Sequence, residues 1–336
     1  MTPPSSGGGA SARPVGFLGL GTYVPSKILT NHDLEKIVET SDEWIRTRTG
    51  ISERRIAAEG EQTSDLAVKA SQAALAEAKL EATDLDMIIV ATMTPDMPCP
   101  ATACIVQAKL GAPQAAATDV AAACSGFLYG LAMGQQMVAG GLYKNVLIVG
   151  AEVLSRVVDW KDRSTCVLFG DGAGAAVIGA TERGRILSLH LGCDGAKADL
   201  LKVPGGGVAQ PASEQSVRER AHFLKMNGAE VFKSAVRGMA DAAHAAIEKA
   251  GIQPEQVACV VPHQANTRII QAVMERAGLP MEKVYLNVDR YGNMSAASTI
   301  VAFAEAVRDG RVKKGDYVLL VVFGAGLTWG SAVVRW

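Results

Sequence analysis

The chain is predicted to be an α/β protein built of two duplicated halves, and three observations predict it. Helical and strand-like stretches alternate along nearly its whole length. A unit of Ala-rich helix, short link and buried strand occurs twice, over 64–92 and again over 228–261. The apolar run 146–149, followed by the Gly-rich stretch 169–178, is echoed by 317–322 followed by 323–334. A period near half the chain points to duplication and not to a solenoid, whose repeats run to about 20–50 residues. Strands alternating with helices imply mostly parallel sheets buried on both faces. With 336 residues, 49% of them apolar, a large core is available.

The organisation expected is a disordered tail over 1–14, rich in Pro, Ser, Gly and Ala, then halves over 15–183 and 184–336. Val15–Leu20 reads as the first buried strand. Asn31 is placed to cap a short helix over Asp33–Glu39. Thr40–Gly50 reads as a second short helix running into a loop, dense in Arg with one Trp. It suits a solvated surface segment, or a ligand carrying phosphates and a flat ring. Thr63 or Ser64 caps a long helix to about Lys79, and a five-residue link leads to the strand Met87–Thr92. Pro95, Pro98 and Pro100 punctuate the next loop. A helix through Leu110 and a strand at Thr118–Val120 follow. Phe127, Leu128, Leu131 and Met137 then fall near helical spacing. Asn145–Ala151 is a buried strand. Gly172 and Gly174 feed a strand and not a helix, which weakens a phosphate-loop reading. The second half brings a helix over Gly228–Ala250 and a strand over Val257–Val261. Helices from Thr267 and up to Arg308, and a strand over Tyr317–Val322, complete it.

Several function classes are excluded by composition. A net charge of −1 argues against general attraction to nucleic acid or membranes. No stretch approaches the ~18 apolar residues of a membrane span, and no signal-peptide pattern opens the chain. The cysteines are Cys99, Cys104, Cys124, Cys166, Cys193 and Cys259, with no C-x-x-C pair, so no zinc site is expected. Free thiols in a reducing cytoplasm are the simplest reading.

Three loops at strand-to-helix junctions carry the chemistry, where α/β sheets gather functional groups. Cys124, in Asp119–Phe127, stands at or just before a helix start, whose dipole and unpaired N–H groups favour a thiolate. A packed structural thiol fits the local sequence equally well. His263 follows the strand Val257–Val261, and Asn293 opens the helix to Arg308. Alone, His263 reads as a hydrogen-bonded structural residue and Asn293 as an N-cap. Together they fit one chemistry: a thiolate accepts an acyl group, and His and Asn donate hydrogen bonds to a thioester oxygen becoming an enolate.

Cys124 in its small-residue loop, His263 in His-Gln-Ala-Asn and Asn293 in Gly-Asn-Met-Ser-Ala-Ala-Ser resemble the triad of the β-ketoacyl-acyl-carrier-protein synthase III family. The resemblance runs from Val15 to Trp336 and takes in Thr40–Ile51, Phe169–Ile178 and Thr328-Trp329-Gly330. It implies a thiolase-like fold with a layered α-β-α-β-α core, in which one half holds the Cys and the other the His and Asn. The activity implied is decarboxylative condensation of an acyl-CoA primer with malonyl-acyl-carrier protein, initiating fatty acid synthesis through an acyl-Cys intermediate. By the same resemblance the backbone N–H groups of Cys124 and Ala325 form the oxyanion hole. Trp44 and Arg163 sandwich the adenine of coenzyme A, Thr40 and Arg48 meet its pantetheine and phosphate end, and Gly228, Phe232 and Asn266 wall the pantetheine tunnel. Lys233, Arg237, Arg268 and Arg276 are the docking candidates for the acidic carrier, although an ordinary charged helix surface would also explain Lys233 and Arg237. No metal or cofactor is implied, since coenzyme A arrives as a substrate. A cytoplasmic homodimer is the family expectation.

Two departures stand out. Gly324-Ala325-Gly326 replaces a triple-Gly turn, and Ala disfavours positive φ. Cys99 stands where the family carries a Phe that reaches across the dimer to close the partner's acyl pocket, so longer primers are expected to fit. The rival readings are papain-like peptidases, which place the Cys near a secreted N-terminus, and starter synthases of secondary metabolism with the same Cys-His-Asn set. Elongating synthases use two His in place of His263 and Asn293.

Overall fold

A computed structural model describes residues Arg13–Trp336. Apart from Arg13 and Pro14, the expected tail lies outside the described residues. The central strands are β1 (Val15–Tyr23), β2 (Met87–Ala91), β3 (Ala116–Val120), β4 (Val146–Glu152) and β5 (Gly172–Ala180), then β6 (Arg185–Cys193), β7 (Val257–Pro262), β8 (Tyr317–Gly324) and β9 (Thr328–Arg335). Their hydrogen-bonded order is β7-β8-β9-β6-β1-β5-β4-β2-β3. The first five and last four strands meet only through the pair Gly16–Arg185, so two sheets lie side by side in sequence and are stitched at one point.

The principal helices are α1 (Asp42–Thr49), α2 (Thr63–Ala78), α3 (Thr102–Leu110), α4 (Gly126–Ala139), α5 (Gly228–Lys249), α6 (Thr267–Ala277) and α7 (Ala296–Arg308). Strand side chains alternate between faces, and the core divides accordingly. Met87, Ile89, Val146 and Ile148 face an inner core that holds Phe127 and Leu131 of α4, Ile300 and Phe303 of α7, and Val318 and Leu320 of β8. Ile88, Val90, Leu147 and Val149 face α2 and α3 on the outside. Leu319 and Val321 face α5 and α6 on the other outside. The layers are therefore α-β-α-β-α, with α4 and α7 sandwiched in the middle.

The duplication is nearly complete. β1, β2, β4 and β5 correspond in order and pairing to β6, β7, β8 and β9. The counterpart of β3 is reduced to Val284, bridged in parallel to Val260. The expectation of mostly parallel sheets needs correction. β2 pairs in parallel with β3 and β4, and β7 with β8, but β5, β1, β6 and β9 join antiparallel. The connection Ala325–Leu327 is too short for a crossover, so the chain must return antiparallel there, β9 pairing on β8.

Two caps also differ from expectation. Thr30, not Asn31, caps the first short helix, Asn31–Leu34, in a capping box with Asp33. Asn31 is buried and its amide spans Asp42 and the Ile51 carbonyl. Gln62, boxed with Asp65, caps α2 in place of Thr63 or Ser64. Both caps lie in extended backbone, but only Thr30 accepts with its side chain, from Asp33 N–H at 3.2 Å; at Gln62 the bond runs the other way, Gln62 N–H donating to the Asp65 carboxylate at 2.9 Å.

Arg54, fully buried, ties the segment around α1 to the rest. Its guanidinium donates to the Leu29 carbonyl at 3.1 Å, Asn31 Oδ1 at 2.9 Å and the Val167 carbonyl at 2.8 Å. Burial pulls its pKa down to about 10, so the cation persists at neutral pH. Arg54→Met leaves three buried acceptors unpaired and is expected to destabilise the fold by about 3 kcal/mol or more. Urea unfolding followed by far-UV dichroism measures it.

Candidate active site

The strand ends of both halves open onto one cavity of about 250 Å³. Cys124, His263 and Asn293 all line it, as do Gly324 and Ala325. Each reaches it from a matching place in the duplication. Cys124 lies between β3 and α4, and Asn293 lies between the Val284 bridge and α7. His263 follows β7, and Ala325 follows β8.

Cys124 sits in a 3₁₀ turn, Ala123–Ser125, that leads into α4. Ala123 takes a φ of 45°, a conformation costly for a residue with a Cβ. Gly324 packs against this turn so closely that a Cβ would lie 2.8 Å from the Cys124 nitrogen. The Ser125 hydroxyl donates to the Thr328 carbonyl at 3.1 Å, and Thr328 Oγ1 lies 3.2 Å from the Ala122 carbonyl and 3.1 Å from that of Ala325. These bonds fix the Ala325 backbone relative to Cys124. Within the Gly324-Ala325-Gly326 turn, positive φ falls on Gly326, not on Ala325. The alanine therefore meets no such conformational obstacle.

The pull of the helix start toward a thiolate is outweighed at Cys124. Burial pushes the Cys124 thiol up to about 12, the Glu152 carboxylate adds to the rise, and the Ser295 hydroxyl and Asn293 amide oppose it. A helix start offers at most about 2 kcal/mol. The rise from 9.0 to about 12 corresponds to about 4 kcal/mol, so burial wins. At rest Cys124 is a buried thiol that must lose its proton as it reacts.

Burial likewise draws the His263 imidazole down to about 4, so it is neutral at pH 7. Its Nδ1 is buried with no hydrogen-bond partner among the described residues, and its backbone N–H donates to the Val321 carbonyl at 2.8 Å. The neighbouring Gln264 donates to the Pro262 and Tyr285 carbonyls and accepts from Asn287 N–H at 3.0 Å. It thereby locks the His263 loop to the segment that runs on to Asn293. Asn293 is not the N-cap of α7. Ser295 holds that position, with a φ of 48°. Ser295 N–H donates to Asn293 Oδ1 at 2.8 Å. With its oxygen so engaged, Asn293 has its N–H groups to donate toward the cavity, an orientation assigned from that bond.

Trp44 and Arg48 line the mouth, with Gly228, Phe232 and Asn266. Arg163 stacks on Trp44, its guanidinium carbon 4.7 Å from the ring centre. Arg163 and Thr40 do not line the cavity. A ring sandwiched between Trp44 and Arg163 requires the arginine to swing out first. Asn266 also caps α6, accepting from Arg268 N–H at 2.8 Å, and donates to the Arg48 carbonyl at 3.1 Å. Cys99 is exposed and away from the cavity of its own chain.

Lys233 and Arg237 on α5, and Arg268 and Arg276 on α6, are all exposed. Lys233 pairs with Glu230, while Arg237 and Arg276 converge on Asp241. Arg268 makes no ion pair among the described residues.

Several wall residues were not anticipated from the sequence. Leu201, Leu224 and Met226 come from the irregular stretch between β6 and α5, and Met93 from the loop after β2. Arg220 latches that stretch by donating from Nε to the buried Asp159 at 2.7 Å. Glu152 and Ser295 were missed as well. The only sequence signal for Glu152 is a carboxylate closing an otherwise apolar strand.

Two family models match, "3-oxoacyl-[acyl-carrier-protein] synthase III" over residues 118–195 and its C-terminal counterpart over 247–336. A β-ketoacyl-[acyl-carrier-protein] synthase III from Caldanaerobacter subterraneus subsp. tengcongensis is 58% identical, over 96% of this chain and 97% of that protein. The crystal structure of the 3-oxoacyl-[acyl-carrier-protein] synthase III from Aquifex aeolicus is 48% identical with a TM-score of 0.88, covering 96% of this chain and 100% of that one. The priming β-ketosynthase of the R1128 polyketide pathway is 35% identical with a TM-score of 0.89, covering 98% and 99%.

Proposed function

The chain belongs to the 3-oxoacyl-[acyl-carrier-protein] synthase III family, condensing acyltransferases that initiate fatty acid synthesis, and from that premise we propose how its residues divide the reaction. The observation that carries the reading is the convergence of Cys124, His263 and Asn293 on one cavity. Cys124 sulfur attacks the acyl carbonyl of an acyl-CoA primer. The bond to coenzyme A sulfur breaks, and coenzyme A leaves as a thiol with the proton. Malonyl-carrier then enters and loses carbon dioxide. Its thioester oxygen takes up the electron pair as an enolate, held by N–H groups of neutral His263 and of Asn293. The enolate carbon attacks the acyl-Cys carbonyl, whose oxygen rests on the Cys124 and Ala325 N–H groups. Cys124 sulfur departs as a thiolate and takes up a proton from solvent, leaving 3-oxoacyl-carrier and the resting thiol. A neutral His263 suits this role, because a hydrogen-bond donor that keeps its proton does not protonate the nucleophilic carbon.

In the same reading Trp44, Arg48 and Arg163 receive the adenine and phosphates of coenzyme A, with Thr40 beside them. Gly228, Phe232 and Asn266 wall its pantetheine arm. Coenzyme A comes and goes as substrate. Lys233 is paired with Glu230, and Arg237 and Arg276 share the single carboxylate of Asp241, so Arg268 is the one of the four with no acidic partner among the described residues and the first to test for an acidic carrier. Arg268→Glu is expected to raise KM for malonyl-carrier roughly tenfold at low salt, and less at high salt, without changing acylation by acyl-CoA. Steady-state kinetics across ionic strength check it.

A cytoplasmic homodimer belongs to this reading too, with Cys99 facing the partner's acyl pocket. Because Cys is smaller than Phe, kcat/KM is expected to fall gently beyond two-carbon primers. A steep fall across an acyl-CoA series contradicts that. Starter synthesis for polyketides has a structural neighbour in its favour, but at 35% identity against 58% for the fatty acid relative. The function is tested by mixing the protein with acetyl-CoA and malonyl-carrier and weighing the carrier. A 3-oxoacyl-carrier supports it, and no such product from any primer contradicts it.

A further inference from the structure

Glu152, the last residue of β4, has no solvent exposure, and the reaction path above gives it no part. Its carboxylate accepts from the Thr94 hydroxyl at 2.6 Å, Thr94 N–H at 3.1 Å, the Thr92 hydroxyl at 3.2 Å and Met93 N–H at 3.2 Å. These partners form the loop after β2, the place in the first half that matches the His263 loop in the second. Met93 of that loop lines the cavity with Cys124. Thr94 is pinned further, since its hydroxyl accepts from Val153 N–H at 2.9 Å and its carbonyl from the Thr63 hydroxyl at 2.6 Å.

The same strand end packs on the turn that carries Asn293. A Cβ at Gly150 would lie 2.3 Å from the Ala296 carbonyl oxygen. Ser295, just before Ala296, is fully buried, and its hydroxyl makes no hydrogen bond of ordinary geometry. A buried polar group left so needs a physical reason. This one lies near enough to the Cys124 thiol and the Glu152 carboxyl to pull on the ionisation of both. It has a single proton to give. Through its backbone, the same residue holds Asn293 Oδ1.

We propose that Glu152 is a positioning residue of this site: acting through Ser295, it holds the Asn293 turn and the Met93 loop in register about Cys124. While Glu152 is charged, the Ser295 proton is drawn to it. When Cys124 ionises, the same hydroxyl turns to the sulfur. Glu152 therefore also opposes early ionisation of the thiol. The other titratable groups on the cavity wall are His263 and the exposed Arg48 and Lys202. Thr92 and Thr94, which complete the shell of Glu152, do not ionise.

This inference rests on the condensation proposed above, but one of its tests does not. Alkylation of the Cys124 peptide by iodoacetamide, followed by mass spectrometry across pH, reports ionisation of that thiol without any carrier. Glu152→Gln is expected to move the profile to lower pH by about half a unit or more, and Ser295→Ala to move it to higher pH. Release of carbon dioxide from malonyl-carrier by the acylated enzyme is expected to fall roughly tenfold in each variant, with the double variant no worse than the worse single. Glu152→Asp restores part of the rate. Profiles that superimpose on the wild type overturn the proposal, as does a double variant whose loss multiplies those of the singles. If Glu152→Gln does not fold, Ser295→Ala decides on the same two readouts. A wild-type enzyme that alkylates normally yet releases no carbon dioxide contradicts the condensation instead, and the alkylation shifts still decide the role of Glu152.

Discussion

Replacing Cys124 with alanine is expected to abolish acylation and to lower condensation by roughly 10⁴-fold or more. The sulfur lies beside the Ala325 turn and shares the cavity with His263 and Asn293, and the other nucleophile-bearing side chains on the wall, Thr49, Ser164 and Lys202, are not expected to take over its role. The site tolerates the change, because Cys124 is small and surrounded by small residues, Ala122, Ala123, Ser125 and Gly126. Folding is therefore expected to survive, with a modest loss of packing. The variant keeps His263 and Asn293, so it is expected to retain slow decarboxylation of malonyl-carrier without forming product. Separate assays of acyl transfer and carbon dioxide release distinguish this from general loss of structure. If condensation survives in the alanine variant at more than about one per cent of wild type, Cys124 is a packed thiol and no nucleophile.

Asn293→Asp and His263→Ala are expected to do the reverse. Cys124 still accepts the acyl group, but carbon dioxide release falls by roughly 10²- to 10³-fold, the usual cost of one donor to a developing oxyanion. Asp is the informative change at position 293. It keeps an acceptor for Ser295 N–H, so the turn is held, and it removes the amide donor while placing a like charge beside the enolate. At position 263 the removal of a neutral, deeply buried imidazole is not expected to alter the pH dependence of decarboxylation between pH 6 and 8. With a pKa near 4, His263 does not titrate in that range. The acyl-enzyme is expected to accumulate in both variants, and intact-protein mass spectrometry detects it. Variants that fail equally in acylation and decarboxylation contradict the division of labour between the halves.

Much of this was legible in the sequence. The duplication shows because Ala-rich helices and buried strands recur at half the chain length, and because burial on both faces keeps the strands continuously apolar. Cys124 and His263 show because each stands where a strand run breaks into a helical one; Asn293, expected at such a junction, instead follows the short helix Val288–Tyr291 and shows through the Gly-Asn-Met-Ser-Ala-Ala-Ser stretch that leads into α7. What was hidden depends on contacts between distant residues. Glu152 accepts from Thr92, 60 residues away, and Arg54 donates to Val167, 113 residues away. Neither separation leaves a local pattern. The balance between thiol and thiolate at Cys124 is hidden for a related reason. A helix start is visible locally, whereas burial at the meeting of the two halves is not, and the burial dominates. The link Ala325–Leu327 is short enough to require an antiparallel return, but which other strands pair, and in which direction, depends on the strand order, which leaves no local signal. Leu201, Leu224 and Met226 escaped because the stretch that carries them has no sustained periodicity.

The most direct measurement of the central claim is a two-step acylation experiment read on the peptide that contains Cys124. Acyl-CoA alone is expected to add one acyl mass to that peptide. Addition of malonyl-carrier is expected to remove it, with one carbon dioxide released and one 3-oxoacyl-carrier formed for each acyl group lost. An acyl group that never appears on Cys124, or one that stays there while product accumulates, contradicts the account.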